Sequence, residues 1–538
     1  MIKKIFKFFD ATLIDLLRQL KWSYIPPLMI YVAAGISSLT GIVGIFFIKD
    51  YLSLSASFLA GLGFWVGIPW ALKMPLGHLV DLIWKQKDYL VFLGAIIISL
   101  SLIIMHGLII HTEWMENFLS IETWYVISII LSPIGYVIQD VVADAMTVEA
   151  VPAINENGKP FGSTQIKTMH ITMQTLGRFA IIAGTLLVAL TNVFLFRNVD
   201  ELSQASKIQL YGSIYLYALV IPIISIIGVF LAKYLKEQEN KKLTNKGIKI
   251  STAELFTQNT PINWWILGGS MVFVIFTISI GSINIKFSQE IVFLGSMFII
   301  LFLMRKLIKE LPSDLRLTIV GTAIIIFIFR AMPNPGPGLS WFEIDELGFN
   351  EQFFSILSLL SSLLALAGII FLRPLMAKNS IARIILFLSI AGSIFLLPSI
   401  GMYYGLHSWT ASITNGFVDA KFIAIVNTAL ESPLGQISMI PLLAWIAKNA
   451  PNHLKATFFA VFASFTNLAL SASSLGTKYL NEIFTITREV KNKITSELNT
   501  SADYSELGFL LITTMLLTLL LPILSIIVIN RTKLKTSE

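Results

Sequence analysis

Long apolar runs alternate with short polar or charged stretches along the chain. A helix needs roughly 20 apolar residues to cross a hydrocarbon core about 30 Å thick. Fourteen runs are candidates, with approximate limits 25–48, 52–72, 89–110, 122–150, 165–196, 209–232, 263–283, 290–306, 315–332, 351–372, 382–404, 420–447, 456–480 and 507–529. Backbone groups in lipid must be hydrogen-bonded, and the runs are too long and too uniformly apolar for barrel strands. We predict an all-α polytopic membrane protein with about 14 transmembrane helices.

The order of the runs predicts two similar halves. A lysine-rich polar stretch follows the sixth run, and eight more runs follow that stretch. A transporter built from two six-helix repeats uses twelve helices, so two runs are extra, and we take them to be the pair at 263–283 and 290–306. This pair has few polar residues apart from Ser and Thr, so we expect a hairpin that packs beside the bundle against lipid. The predicted regions are an amphipathic cytoplasmic N-terminus (1–24), a six-helix bundle (25–232), a cytoplasmic linker (233–262), the extra hairpin (263–314), a second six-helix bundle (315–530) and a cytoplasmic tail (531–538).

Composition agrees with this pattern. Charged residues make up only 13% of the chain, and the mean hydropathy is +0.77, which excludes a soluble globular domain. The N-terminus lacks a small-residue cleavage site and does not resemble a removable signal peptide. With both termini in the cytoplasm, most Lys and Arg of the loops fall on the inner side, which explains the net charge of +7 without nucleic-acid binding. High usage of Ile, Lys and Asn is typical of low-GC bacteria, and we therefore expect the protein to lie in a bacterial inner membrane.

The loop predicted between the second and third helices contains Gly77, Asp81 and Lys85. Glycine allows a tight turn, and Asp81 can cap a helix or bind a cation. A Gly, an Asp four residues later and then basic residues are similar to the signature of major-facilitator proteins at this place. We therefore predict that these three residues latch the loop in one conformation.

Carboxylates inside apolar runs are the first candidates for chemistry. Asp140 and Asp144 lie one helical turn apart in the fourth run, Glu149 is near its inner end, and Glu431 is deep in the second half. An intramembrane carboxylate costs roughly 2.5 kcal/mol or more unless it is paired or hydrated. We predict roles in proton coupling or gating. The alternative is a structural latch between these carboxylates and lysines of the neighbouring loop, namely Lys73, Lys85 and Lys87.

A polar stripe marks the fifth run, where Lys167, His170, Gln174 and Arg178 recur at three- and four-residue spacing. Such a stripe should face a watery cavity. Arg178 lies near mid-membrane, and its guanidinium can hold a carboxylate through two parallel hydrogen bonds. We predict that the stripe binds an anionic substrate; the alternative is an internal salt bridge from Arg178 to the carboxylates of the fourth run.

The second half adds Asn427 and Asn467 to the predicted substrate-binding residues. The alternative for the Ser- and Asn-rich face around Asn467 is close helix packing. We find no phosphate-cradling glycine loop, metal-ligand cluster or nucleophile elbow, and the chain has no cysteine. We therefore expect no enzyme activity, cofactor or metal. The expected partners are a small, anionic solute, a coupling ion, taken to be a proton, and lipid. A non-transporting scaffold or receptor is the alternative of another class.

Several segments together resemble the folate/biopterin transporter family of the major facilitator superfamily. They are YVAAGISSLTGIVGIFFIKDYL, LKMPLGHLVD, QDVVADAMTVE, FRAMPNPGPGLSWF and MIPLLAWIAKNAPNHLKATFFAVFASFTNLALS. The resemblance implies two six-helix bundles and proton-linked symport of folates or pterins by alternating access. QDVVADA also resembles the muropeptide permease and acetyl-CoA transporter families, which remain the alternative transporters.

Overall fold

The computed structural model describes residues 18–52, 54–71, 73–152, 161–245, 264–282, 285–309, 311–372, 379–434, 455–491 and 498–536. Helices account for most of the described chain. In the first half they are α1 (Ile25–Ile36), α2 (Gly41–Tyr51), α3 (Ala56–Ala71), α4 (Lys73–Leu82), α5 (Asp88–Ile110), α6 (Thr112–Glu116), α7 (Ile121–Ala150), α8 (Ser163–Leu195), α9 (Gln204–Tyr217) and α10 (Val220–Asn245).

The second half of the described chain is also helical apart from one small hairpin of strands. Its helices are α11 (Trp264–Ser282), α12 (Ser288–Ile308), α13 (Ser313–Arg330), α14 (Pro337–Asp345), α15 (Glu351–Phe371), α16 (Ile381–Tyr403), α17 (Leu406–Ile413), α18 (Ala420–Glu431), α19 (Lys455–Ile483) and α20 (Leu507–Arg531). Strands β1 (Val490–Lys491) and β2 (Leu498–Thr500) pair antiparallel between α19 and α20.

Ten segments of the described chain are long and apolar enough to cross a membrane. They are Trp22–Tyr51, Ala56–Val80, Asp88–Ile110, Ile121–Ala150, Thr172–Glu201, Gln204–Lys242, Ser288–Lys306, Glu351–Ile369, Ile381–Tyr403 and Leu507–Arg531. The sequence predicted fourteen. Of the remaining four, α11 holds only a shorter apolar helix, α13 carries charges at both ends, and α19 is rich in Ser, Thr and Asn. The run predicted at 420–447 contains α18, and its residues 435–447 lie outside the described part of the structure.

The two halves meet along antiparallel helices α3 and α19. The amide of Asn467 donates to the carbonyl of Trp70 at 3.0 Å. A Cβ at Gly67 would lie 3.0 Å from the hydroxyl of Ser471, so the absence of a side chain lets the two helices approach closely. A second contact joins α8 to α15. Because α3 and α19 are antiparallel, α1 begins and α20 ends at the same end of the bundle, which we call the terminal end.

The hairpin α11–α12 packs across the line where the halves meet. Gln289 donates to the carbonyl of Gly61 on α3 at 3.0 Å, and Glu290 pairs with Lys478 on α19 at 3.1 Å. A shared apolar cluster contains Phe64, Phe273, Val292 and Leu475. Large apolar side chains on the other faces are exposed, as a lipid contact requires, among them Met271, Ile278, Leu294 and Phe298.

Candidate functional site

Four side chains from three segments form a central polar cluster. The ammonium of Lys73 lies 2.5 Å from Oδ2 of Asp140 and 2.8 Å from Oδ2 of Asp144. The hydroxyl of Tyr31 donates to Oδ1 of Asp144 at 2.6 Å. Lys73 and Asp140 are largely buried, whereas the side chain of Asp144 is 42% exposed. The cluster is therefore closed to water on one side and open to it on the other.

Helix geometry explains how the cluster forms. Asp140 and Asp144 are one turn apart on α7 and so share a face. The ring of Tyr31 reaches them because α8 has a glycine beside it: a Cβ at Gly177 would lie 2.8 Å from Cε2 of Tyr31. Lys73 begins α4, immediately after the second apolar run. Three segments distant in sequence thus converge on one pair of carboxylates.

Arg178 and Gln174 extend the polar surface along α8. Both side chains are exposed, and the amide of Gln174 donates to the hydroxyl of Thr147 on α7 at 3.3 Å. The charge of Arg178 acts on both Asp140 and Tyr31. Among the ion pairs of the described residues, the partner of Asp140 and Asp144 is Lys73 and not Arg178. The alternative salt bridge expected for Arg178 is therefore not formed in this conformation.

The other two residues of the predicted stripe, Lys167 and His170, belong to helix α8, but their side chains lie outside the described part of the structure. Their spacing still places their backbone on the same helix as Gln174 and Arg178. Their part in substrate binding stays a prediction.

A second ionic network lies near the terminal end. Glu149 pairs with Lys87 at 2.9 Å and with Lys236 at 3.7 Å, and the ammonium of Lys87 lies 4.6 Å from the ring centroid of Trp84. Lys85 is exposed. The arrangement of Glu149 and Lys87 has the geometry expected of a structural latch.

The loop predicted around Gly77 needs correction, and the latch role of Gly77, Asp81 and Lys85 stays a prediction. Gly77 lies inside helix α4 and makes no turn. No atom of the described residues lies within 4 Å of a Cβ built on it, so among them it permits no close contact. The apolar run simply continues as helix past the predicted loop start. The backbone of Asp81 is also helical, and its side chain lies outside the described part of the structure.

Predicted residues of the second half are more dispersed. Asn467 bonds to Trp70 across the halves, which is a packing contact. The oxygen Oδ1 of Asn427 is buried and has no hydrogen-bond partner among the described residues. Glu431 is exposed at the end of α18, next to a stretch, 435–454, that the structure does not describe. The structure thus does not join Asn427 and Glu431 to the central polar cluster.

Contacts between the halves close the end opposite the terminal end. Asp345 accepts from the ammonium of Lys49 at 2.6 Å and from the hydroxyl of Tyr504 at 2.5 Å. Arg488, which is buried, donates to the carbonyls of Lys49 and Leu54 at 2.6 and 2.7 Å. Its guanidinium also lies over a tryptophan ring. Lys49 and Leu54 belong to the first half and the other three residues to the second, so these bonds hold the halves together.

Further bonds reinforce this closure. The hydroxyl of Tyr211 donates to buried Glu351, and the amide of Asn350 donates to Asp200 at 2.5 Å. Asn350 and Glu351 belong to the acidic segment LSWFEIDELGFNE. The sequence did not reveal its partners Lys49 and Tyr211, or Tyr31 of the central polar cluster, because a Tyr or Lys within or at the edge of an apolar run is common. The one usable signal was that Lys49 and Asp50 interrupt a continuous apolar run.

Comparisons with known proteins agree with the helical fold. The nucleoside transporter NupG superposes with a TM-score of 0.55 at 11% identity, covering 94% of this chain and 99% of NupG. A bacterial homologue of human drug peptide transporters superposes with a TM-score of 0.55 at 13% identity, covering 95% of this chain and 98% of the other. At such identities the likeness concerns the fold alone.

Sequence comparison identifies the family. A folate-biopterin transporter of Synechocystis sp. is 22% identical over 455 residues, which are 83% of this chain and 72% of that protein. The family model described as the BT1 family matches residues 33–537. These matches confirm the predicted resemblance to folate/biopterin transporters. The chain therefore belongs to the BT1 family and is a multi-pass membrane transporter.

Proposed function

We propose that this transporter moves a folate- or pterin-like organic anion together with protons by alternating access. Membership of a transporter family sets aside the scaffold or receptor hypothesis. The name of the Synechocystis relative supports the substrate class. The observation that carries the coupling mechanism is the central polar cluster, in which Lys73 bridges Asp140 and Asp144 beside Arg178.

The charges of this region provide a coupling mechanism. With both carboxylates ionised, Lys73 and Arg178 together balance them. An anion that binds the exposed guanidinium of Arg178 uses that positive charge, so the carboxylates are left with Lys73 alone. A proton on Asp140 or Asp144 then restores the balance. Substrate and proton are therefore expected to bind together and to leave together, which is the requirement for symport.

The closure opposite the terminal end supports alternating access. The bonds of Asp345, Arg488 and Glu351 hold the two halves together there, while the side chain of Asp144 keeps access to water. We assign this conformation to the state open toward the terminal end. Opening the other end would break these bonds as the halves rock about the central polar cluster.

The terminal end of the bundle is proposed to face the cytoplasm. The terminal end carries Lys87, Lys233 and Lys236 and continues into the lysine-rich linker 233–262, so the positive-inside rule puts this end in the cytoplasm of a bacterial inner membrane. Both termini are then cytoplasmic. In this proposal the fold is the major-facilitator arrangement of two six-helix bundles, 25–232 and 315–530, with the hairpin 263–314 between them. This arrangement requires that α11, α13, α18 and α19 also cross the membrane.

Ligand binding and uptake test this proposal. A thermal-shift screen of the purified protein against folates, pterins, muropeptides, nucleotides and simple carboxylates should give the largest stabilisation with folates or pterins, because a ligand of the folded state raises its melting temperature.

In proteoliposomes under an imposed pH gradient, Arg178→Ala should lose at least tenfold in uptake of the stabilising anion. Arg197→Ala, which removes an exposed arginine beyond the end of α8, is the control. Unchanged uptake of every anionic solute by Arg178→Ala would refute the role given to Arg178.

A further inference from the structure

One arginine of the second half has no carboxylate partner in the described part of the chain. Arg330 is the last residue of α13, and its Nε donates to the carbonyl of Thr466 on α19 at 3.3 Å. A guanidinium has five N–H donors, and the four on the terminal nitrogens of Arg330 bond to no described residue. Arg330 is partly exposed, so a ligand can reach it. An ionisable group that stays unpaired within an apolar run is costly and is therefore a candidate for function.

The contacts of α19 show which space this guanidinium borders. Leu475 packs against the hairpin, which lies on the lipid side of α3 and α19. Thr466 is nine residues earlier, which is about two and a half helical turns, so it lies on the opposite side of α19. Leu470, one turn after Thr466, is 46% exposed on that side. The carbonyl that holds the guanidinium thus borders the space between the halves and not the lipid.

The guanidinium also lies near the depth of the central polar cluster. Asn467, the residue after its carbonyl partner, bonds to Trp70 across the halves. Lys73 follows Trp70 by three residues, which is about 5 Å along a helix axis. Arg178 lies exposed beside the same cluster on the first half. The space between the halves therefore has one arginine on each side, and neither forms an ion pair with a described carboxylate.

We propose that the transported anion carries two carboxylates, and that Arg330 binds one of them while Arg178 binds the other. The inference rests on the proposed function and restricts its substrates to folates, because the glutamyl group of a folate bears two carboxylates and a pterin ring bears none. A guanidinium holds a carboxylate through two parallel hydrogen bonds. The charge of Arg330 balances the second carboxylate, so the proton requirement of the central polar cluster is unchanged.

The positions of the two arginines also give the second carboxylate a part in the transport cycle. Since Arg178 and Arg330 belong to opposite halves, an anion that binds both joins the halves across the central space. Such an anion binds the state closed at the terminal end better than the open state, and so favours closure around itself. An anion with one carboxylate contacts one half only and lacks this effect.

Monoamides of folate test the role of Arg330. The α-monoamide and the γ-monoamide keep the shape of the glutamyl group and each lack one negative charge. Thermal-shift titrations of the full-length protein give the concentration of each ligand for half-maximal stabilisation, measured from each variant's own ligand-free melting temperature. We expect the wild type to bind folate at least about tenfold more tightly than either monoamide, because each amide leaves one arginine without its carboxylate.

Variants then assign the second carboxylate. Arg330→Gln should bind folate at least about tenfold more weakly than the wild type does, and should bind one of the two monoamides as the wild type does, because that monoamide lacks the carboxylate that Arg330 holds. Arg330→Lys keeps the charge and should retain part of the preference for folate, which a role in packing alone would not require. Arg383→Gln removes an exposed arginine at the start of α16 and should match the wild type.

The outcomes separate this inference from the proposed function. Equal affinity of the wild type for folate and both monoamides would overturn the inference and leave the proposed function standing. The same holds for an unchanged affinity for folate in Arg330→Gln, or for an equal loss of all three ligands in that variant. Failure of folate to stabilise the wild type would overturn both.

Discussion

Lys73 contacts two carboxylates with one ammonium group, and this makes it the residue on which the central polar cluster depends. Lys73→Met should destabilise the protein by about 3 kcal/mol, because loss of one partner of a buried ion pair leaves uncompensated charge. Adding Asp140→Asn to Lys73→Met should recover part of that loss, since the neutral amide no longer needs a cation. Thermal unfolding of both single variants and the double variant measures the coupling. Strictly additive effects would mean that the two residues do not interact.

Glu343 gives a separate prediction at the residue scale, outside the spans. Burial raises the pKa of this carboxyl from its ordinary value to about 7. The folded state therefore holds the proton more tightly than the unfolded chain does, and the stability gained from the neutral form is lost as the pH rises through about 7. We expect the melting temperature to fall between about pH 5 and about pH 8. Glu343→Gln should remove much of that fall.

The matched control for this titration is Glu346→Gln, which changes an exposed carboxylate in the same segment and should leave the pH dependence as it is. A wild-type melting temperature that rises over this pH interval, or a Glu343→Gln variant with the full wild-type dependence, would contradict the pKa assigned to Glu343.

Sequence reasoning found Asp140 and Asp144 because a charge inside an apolar run is rare and costly. It considered Lys73 only as a latch partner and missed Tyr31, since a tyrosine in an apolar helix is ordinary. The pairing of Lys73 with Asp140 joins residues 67 positions apart, and that of Tyr31 with Asp144 spans 113. Periodicity within one helix carries no information about such contacts.

At the scale of elements, close helix packing fixes the cluster. A Cβ at Gly177 would collide with the Tyr31 ring at 2.8 Å, whereas a Cβ at Gly44 meets no atom of the described residues within 4 Å. Gly177→Ala should therefore cost about 1 to 3 kcal/mol of stability, as overpacking does, and should lower uptake by displacing Tyr31 from Asp144. Gly44→Ala should be neutral or slightly stabilising, because alanine favours helix. Equal unfolding temperatures for the two variants would contradict the packing described for α1 and α8.

Hydrophobic runs predicted most helices of the described chain, because a span must be long and apolar whatever its neighbours are. The same rule did not predict how α11, α13, α18 and α19 would differ from ordinary spans. α19 is rich in Ser, Thr and Asn because it packs against α3, where small residues allow close approach. The predicted loop at Gly77 was wrong because a glycine can also continue a helix, and only tertiary contacts decide between the two.

The whole molecule is expected to alternate between closure at one end and at the other. Asp345→Asn weakens the contact with Lys49 and should favour opening opposite the terminal end. The chain has no cysteine, so Ser355→Cys, at a fully buried site near Glu351, is a reporter without background. We expect an impermeant maleimide to label it several times faster in the Asp345→Asn background. Glu346→Gln is the matched control, and equal labelling in all backgrounds would contradict the role of Asp345 in closure.

The central claim is that protons and an organic anion cross together through the central polar cluster. The most direct test follows the external pH of lightly buffered proteoliposomes after folate is added. We predict that the wild type makes the outside more alkaline as folate enters, and that Asp140→Asn loses this proton uptake while it still exchanges folate for folate. Folate entry without proton movement in the wild type, or full proton uptake in both Asp140→Asn and Asp144→Asn, would contradict the account.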